Sequence, residues 1–372
     1  MKTDFSATRA LFDQPEGLIH LDGGSLGPPP RAAQTRLAEA VGREWGDMLR
    51  GGPARAAALE RPRRLGDRIA RLIGAEPGSV VVGDSFAVKL HQALISALRM
   101  NAGRRAILAV SGSFPPDLHA AQDLVRSLGP EHELRVVEPE GIAKALDEDV
   151  AALIAPDLDH RTGRRHDMAA LTTRAHAAGA LAIRDLSRSA GASPLRLAQE
   201  RADFAVGRTC GHLNSGPGGP AFIYVAPRHA ATAHPGLSGP PPLLQTAALE
   251  AALEVWDQVE MKDLRARALE LADRFIAGVE AACPDLVLVT PRAHEERGSQ
   301  LNFRHPEGRA ILEALEAEGV TGGLSAPDLL RFSFAPLHLG PEEVDRAVEI
   351  LARIMAGKLG ESPEAGAGTL AP

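Results

Sequence analysis

The chain has 372 residues, 44% hydrophobic and 24% charged, with a formal net charge of −7 and a pI near 6.0, the proportions of a globular protein with one large domain and a smaller one. No basic run is long enough to follow a phosphate backbone, which argues against nucleic acid as a partner, and nowhere do eighteen apolar residues run together, which argues against a membrane-spanning helix. The start MKTDFSATRALFDQPEG has no apolar signal core, and Cys210 and Cys283 form neither a disulfide framework nor a CxxC pair, so a cytoplasmic protein is expected.

In chain order, residues 1–45 read as an N-terminal arm and a first helix. Residues 46–245 carry six short apolar runs, SVVVGD (79–84), RAILAVSG (105–112), AALIAPDLD (151–159), ALAIRDLS (180–187), ADFAVGRT (202–209) and PAFIYVA (220–226), with helical patterns such as MAALTTRAHAAG between them. That alternation predicts an α/β domain: a mostly parallel sheet covered by helices on both faces. Ligands of such sheets lie beyond the carboxyl ends of the strands, which places Asp84, Ser111, Asp157, Asp185 and Thr209 near one rim. The proline-rich stretch PGLSGPPP (235–242) ends the block. Two amphipathic patterns follow, then short strands LVLVT, SQLNFRH and LLRFSFAP with two more helices, a small C-terminal α+β domain over 246–358. Residues 359–372, ESPEAGAGTLAP at their core, read as a disordered tail.

Several blocks are more specific than composition. LDGGSLGPPP (21–30), SGSFPPDLH (111–119), HRTGRRHDM (160–168), DLSRSAGASPLRL (185–197), ADFAVGRTCGHLNSGPGGPAFIYV (202–225), RGSQLNFRHPEG (297–308) and PDLLRFSFAPLH (327–338) occur in this order. On these blocks the chain, over roughly residues 10–356, resembles kynureninase, a family of the aspartate-aminotransferase-like, pyridoxal-phosphate-dependent superfamily (class V, fold type I). The resemblance implies a transferase-like large domain with a mostly parallel sheet of seven-stranded type, a homodimer, and a Schiff base between cofactor and a lysine in the family motif T-Y-K-Y-L-N. Here that lysine position is Gly211, and its neighbours Cys210 and His212 carry no primary amine. The family's phosphate turn DSTSVN is DSFAVK (84–89), which keeps Ser85 but replaces two hydroxyls with Phe86 and Ala87, and a histidine one turn after the ring-pairing Asp becomes Arg188.

Other positions keep the family's identities. The resemblance places Asp185 at the pyridine nitrogen, Phe114 on the ring, Asp117 near the phosphate and Arg331 on a substrate carboxylate, with Arg161 and Asn214 also retained. Each has a plainer reading. Asp185 could cap the helical turn that begins at Ser187, and Arg331 could serve a protein carboxylate instead of a ligand. Lys89 could reach a bound aldehyde or a phosphate, against the commoner role of a solvated lysine. His119, His160, His212 and His338 stand where the family has tyrosine and are candidate metal ligands, but they fall on four separate elements without HxH or HExxH spacing, so no metal is expected.

The leading expectation is therefore a kynureninase-like protein without its Schiff-base lysine, repurposed to act on or bind a small amino-acid-like or aromatic carboxylate with no cofactor. Asp185, Asp117 and His212 are its candidate catalytic groups, and Arg331, Phe114, Arg161, Asn214 and Arg188 its candidate ligand contacts. Ser85 and Lys89 enter only if a phosphate or pyridoxal phosphate binds, noncovalently or through Lys89. Two rivals stand beside it: a hydrolase of kynureninase type with noncovalent cofactor, and a non-catalytic partner subunit of an active relative.

Overall fold

A computed structural model of the chain describes residues 2–233 and 239–357. The expectation of a disordered tail, and the first half of the proline-rich break (235–238), lie outside the described residues. A first short strand, β1 (Ile19–His20), precedes the central sheet. That sheet is built from β2 (Val80–Val82), β3 (Ala106–Val110), β4 (Glu133–Val137), β5 (Val150–Pro156), β6 (Leu181–Asp185), β7 (Phe204–Arg208) and β8 (Ala221–Val225).

Spatial order in the sheet is β2-β8-β7-β6-β5-β3-β4, and only β8 runs against the rest, antiparallel to both its neighbours. All six apolar runs form strands. They read as continuous apolar stretches because both sheet faces are covered, as parallel sheets require. Alternation separates the faces. Phe204, Val206, Ile223 and Val225 pack with Phe86, Leu90 and Leu94 of the helix Phe86–Met100, whereas Ala205, Phe222 and Tyr224 pack with Leu65 and Ile69 of the helix Gly52–Ile73 and with Trp256. The edge strand β4 escaped the sequence pattern because ELRVV is half polar and half exposed, without the apolar run of its neighbours.

The C-terminal sheet is antiparallel, in the order β12 (Gly323–Ser325), β13 (Leu329–Ser333), β10 (Gln300–Arg304), β9 (Val287–Leu288). One face is filled by Phe275, Ile311, Val344 and Ile350 from three helices, packed on Leu301, Phe303, Leu330 and Phe332. The N-terminal arm joins this layer, not the central one. β1 pairs in parallel with β11 (Val320–Thr321), and Ile19 and Leu21 sit in the same apolar cluster. The LDGG segment that follows is thereby threaded between the C-terminal sheet and the rim of the central sheet, against the turn after β7.

Candidate active site

At that junction lies a cavity of about 310 Å³ lined by Pro156, Leu158, Asp185, Ser187, Arg188, Arg208 and Cys210 beyond the carboxyl ends of β5, β6 and β7, with Phe114, His160 and Arg331 opposite and Gly24 and Ser25 above. Pocket placement beyond strand ends is the rule for parallel sheets. Here the second sheet and the N-terminal loop close the opening.

Asp185 ends β6, and its Oδ1 accepts bonds from the Ser187 backbone N–H at 2.9 Å and the Ser187 hydroxyl at 2.6 Å. Both readings of this residue thus coexist: it caps the turn and stands on the cavity wall. Phe114, at the start of the helix Pro115–Leu128, presents its ring to the cavity, with the edge of His160 at 5.0 Å between centroids. Arg331 projects from β13, donates to Ser25 Oγ at 3.1 Å and lies 3.6 Å from Asp22. Arg188 donates to Gln300 Oε1 at 3.3 Å, and among the described residues it forms no ion pair.

Arg208 is the residue the motif comparison passed over. It closes β7 as Asp185 closes β6, at the position where the family block has Cys, and that strand-end place was the available signal. Its guanidinium grips buried Asp117 with two N–H groups, donates to Ser187 Oγ at 3.2 Å, and lies 3.8 Å over the ring of Phe86. Burial raises Asp117 to about 6 against the pull of Arg208, with Asp185 adding to the rise. Asp117 therefore faces Arg208 from behind the wall and does not line the cavity.

The remaining candidates disperse. His212 is buried and shares a second, small cavity with Asn214 and His338; burial, then Arg188, lowers it to about 4. Asn214 donates to the Pro28 carbonyl at 3.4 Å, which ties the turn to the N-terminal loop. Arg161 is half exposed, on Glu138 at 3.0 Å and Ser111 at 3.1 Å. His160 is pushed down to about 3 by burial and then by Arg188, Arg331 and Arg161, so it is neutral, with Nε2 on Ser325 Oγ at 3.0 Å. His119 lies on the helix Pro115–Leu128, away from the other three, and among the described residues no group of three or more His, Cys, Asp or Glu side chains is placed to hold a metal.

Two facts bear on the lysine. Gly211 has no side chain, and a β-carbon there would overlap the carbonyl oxygen of Gly24. Lys89 does not substitute for it. Its side chain is fully buried, Nζ lies 3.1 Å from Asp84 and 3.2 Å from Gln92, and it is not on the cavity wall. The rest of the wall fits pyridoxal phosphate: an aromatic face in Phe114, a carboxylate in Asp185, and Arg208 beside Phe86, the first residue of a helix capped by Ser85. What it lacks is a covalent anchor.

Comparison with known proteins agrees on the family. The kynureninase C-terminal domain profile matches residues 264–351. Kynureninase from Burkholderia pseudomallei (strain 1106a) is 39% identical, covering 96% of this chain and 94% of its own length, and kynureninase from Pseudomonas fluorescens is 40% identical over 94% and 92%. Among solved structures, the apo cysteine desulfurase of Thermococcus onnurineus NA1 superposes with a TM-score of 0.79 at 14% identity, covering 96% of this chain and 99% of its own. A mutant of C-DES in which a lysine is replaced by alanine, with glycine covalently linked to its PLP cofactor, superposes with a TM-score of 0.78 at 17% identity over 92% and 98%. These matches overturn the expectation of a chain that holds no cofactor: its relatives are kynureninases, and a protein of the same fold is described with PLP. The wall gives the correction its physical reason, because Phe114, Asp185 and the guanidiniums are groups that face a ring and an anion.

Proposed function

The chain belongs to the kynureninase family, and on that premise we propose that it holds pyridoxal phosphate without a covalent bond to the protein, together with an amino acid whose carboxylate lies on Arg331. The observation that carries this reading is the charge of the wall: three guanidiniums, Arg188, Arg208 and Arg331, face the cavity with a single carboxylate, Asp185. Asp117 answers Arg208 and Asp22 lies 3.6 Å from Arg331, which leaves Arg188 without an ion pair among the described residues and open to a ligand anion. When bound, pyridoxal phosphate supplies an electron sink for a carbanion at the amino acid's α-carbon.

The chain's own residues supply the rest. Phe114 offers a face for the ring, and Asp185, held in place by Ser187, offers a carboxylate for the ring nitrogen. Arg208 and the start of the helix Phe86–Met100 offer donors to the phosphate. Arg331 orients the amino acid by its carboxylate, a task suited to its planar fork. Among the described residues no lysine lines the wall, and neutral His160 is the one imidazole there. Hydrolysis of L-kynurenine is therefore expected several orders of magnitude below that of a lysine-bearing enzyme. The C-DES mutant supports the premise that such a site keeps its cofactor, since that protein lost a lysine and is still described with PLP carrying glycine.

The test is to load the purified chain with pyridoxal phosphate, desalt it, reduce it with borohydride and weigh it intact. Cofactor absorbance that stays with the protein while the protein mass is unchanged is the expected result. A mass increase mapping to Lys89 or any other lysine would overturn noncovalent binding, and absorbance lost on desalting at micromolar protein would overturn the cofactor reading itself.

A further inference from the structure

Of the three guanidiniums on the wall, Arg208 is paired with Asp117 and Arg331 lies 3.6 Å from Asp22, whereas Arg188 forms no ion pair among the described residues. In the proposed reading, on which this inference rests, the phosphate faces Arg208 and the α-carboxylate faces Arg331. Arg188 is left over. Its only hydrogen-bond partner among the described residues is the neutral Gln300 side chain at 3.3 Å. The two carboxylates nearest its field are engaged elsewhere: Asp22 accepts from Ser25 Oγ at 2.8 Å and faces Arg331, and Asp185 accepts twice from Ser187. The guanidinium sits 6.0 Å from the Phe114 ring centroid on the same wall.

We infer that Arg188 is a specificity-determining residue that receives a second carboxylate, so that the amino acid this site takes has an acidic side chain. A guanidinium on a half-buried wall with no carboxylate partner is costly unless a ligand supplies one. Burial, and then the charge of Arg331, lowers Arg188 to about 10, so the two cations repel each other while the cavity is empty of anions. A single α-carboxylate on Arg331 would leave Arg188 with only its neutral Gln300 contact. A four- or five-carbon amino acid with carboxylates at both ends matches both. The neutral imidazole of His160, packed edge-on against Phe114, adds no further cation to be satisfied.

Calorimetric titration of the pyridoxal-phosphate-loaded chain with L-aspartate and with L-asparagine tests this, because the two differ only in the side-chain charge. Aspartate is expected to bind about tenfold or more tighter, the scale of one charge-assisted contact. Arg188→Gln should bring the ratio near one, Arg188→Lys should keep part of it, and Arg331→Gln should weaken both amino acids alike. Equal binding of aspartate and asparagine by the native chain, or a preference that survives Arg188→Gln, would overturn the inference. Retention of cofactor after gel filtration is scored separately. An aspartate preference in a chain that keeps no pyridoxal phosphate would overturn the cofactor reading and support this one, and equal binding in a chain that keeps it would do the reverse.

Discussion

At position 211 a glycine packs directly against the N-terminal loop. Gly27 N–H donates to the Cys210 carbonyl at 2.8 Å, and the Gly24 carbonyl stands where any side chain on residue 211 would begin. The glycines of LDGGSLGP are thus matched to the glycine of GRTCGHLN, since a β-carbon on Gly27 would in turn overlap Asn214 and the Gly211 carbonyl. Overpacking a tight contact costs about 1–3 kcal/mol. Gly211→Ala is accordingly expected to lower the unfolding free energy by that much, read as a lower urea midpoint, and Gly211→Lys to destabilise the fold at least as far without forming a borohydride-reducible bond to the cofactor. An unchanged midpoint for the alanine variant, or a reducible adduct for the lysine variant, would mean the loop yields easily. The glycine at 211 was legible in the sequence. Its consequence was not, because the loop that packs on it is separated from it by nearly half the chain and only the fold brings them together. Arg188 and Arg208 divide the same way: both substitutions are visible in quoted blocks, but the missing ion partner of the one and the Asp117 grip of the other are facts of geometry.

Among elements, the strands were legible wherever both faces are covered, and their ends were not. Asp203, one residue before β7, shows what strand ends do here. Its buried carboxylate accepts four bonds of 2.7 Å, from the Ala182 N–H in β6, His176 on the helix Met168–Ala177, and Arg228 and His229 after β8. Burial raises its pKa, but the bonds from Ala182, His229, His176 and Arg228 outweigh this and hold it below the usual carboxylate value. A depressed carboxylate contributes stability that is present above the unfolded pKa, near 3.9, and is lost as pH falls through the folded value. Asp203→Asn is therefore expected to cost on the order of 3 kcal/mol at pH 7, with the difference from the native chain shrinking below about pH 4. Denaturant unfolding of both proteins at pH 7 and pH 3.5 measures it; a difference that stays constant with pH would assign the cost to packing and not to charge.

At the scale of the whole molecule, the cavity needs three separate pieces of chain: the central-sheet rim, β13 with Arg331, and the arm that β1 ties to the C-terminal layer. Its upper edge is the least enclosed. Leu26, next to the wall residue Ser25, is 42% exposed, and Val41, Trp45 and Leu49, four residues apart along the following helical run, are 52%, 56% and 83% exposed. Large apolar side chains left exposed in such a row mark a surface that another protein covers. The family resemblance implies a homodimer, and a second copy is the occupant we propose. Tryptophan anchors of that kind typically contribute 2 kcal/mol or more to an interface, a change of about thirtyfold in dissociation constant. Sedimentation equilibrium is then expected to give a dimer for the native chain and a shift toward monomer at micromolar concentration for Trp45→Glu, whereas an unaltered dimer would place the interface on another face. Because Leu26 adjoins Ser25 and Ser25 holds Arg331, dissociation would also loosen the carboxylate site. Ligand binding and dimerisation should therefore be linked by mass action, with amino-acid affinity falling on dilution in Trp45→Glu at protein concentrations where the native chain stays dimeric.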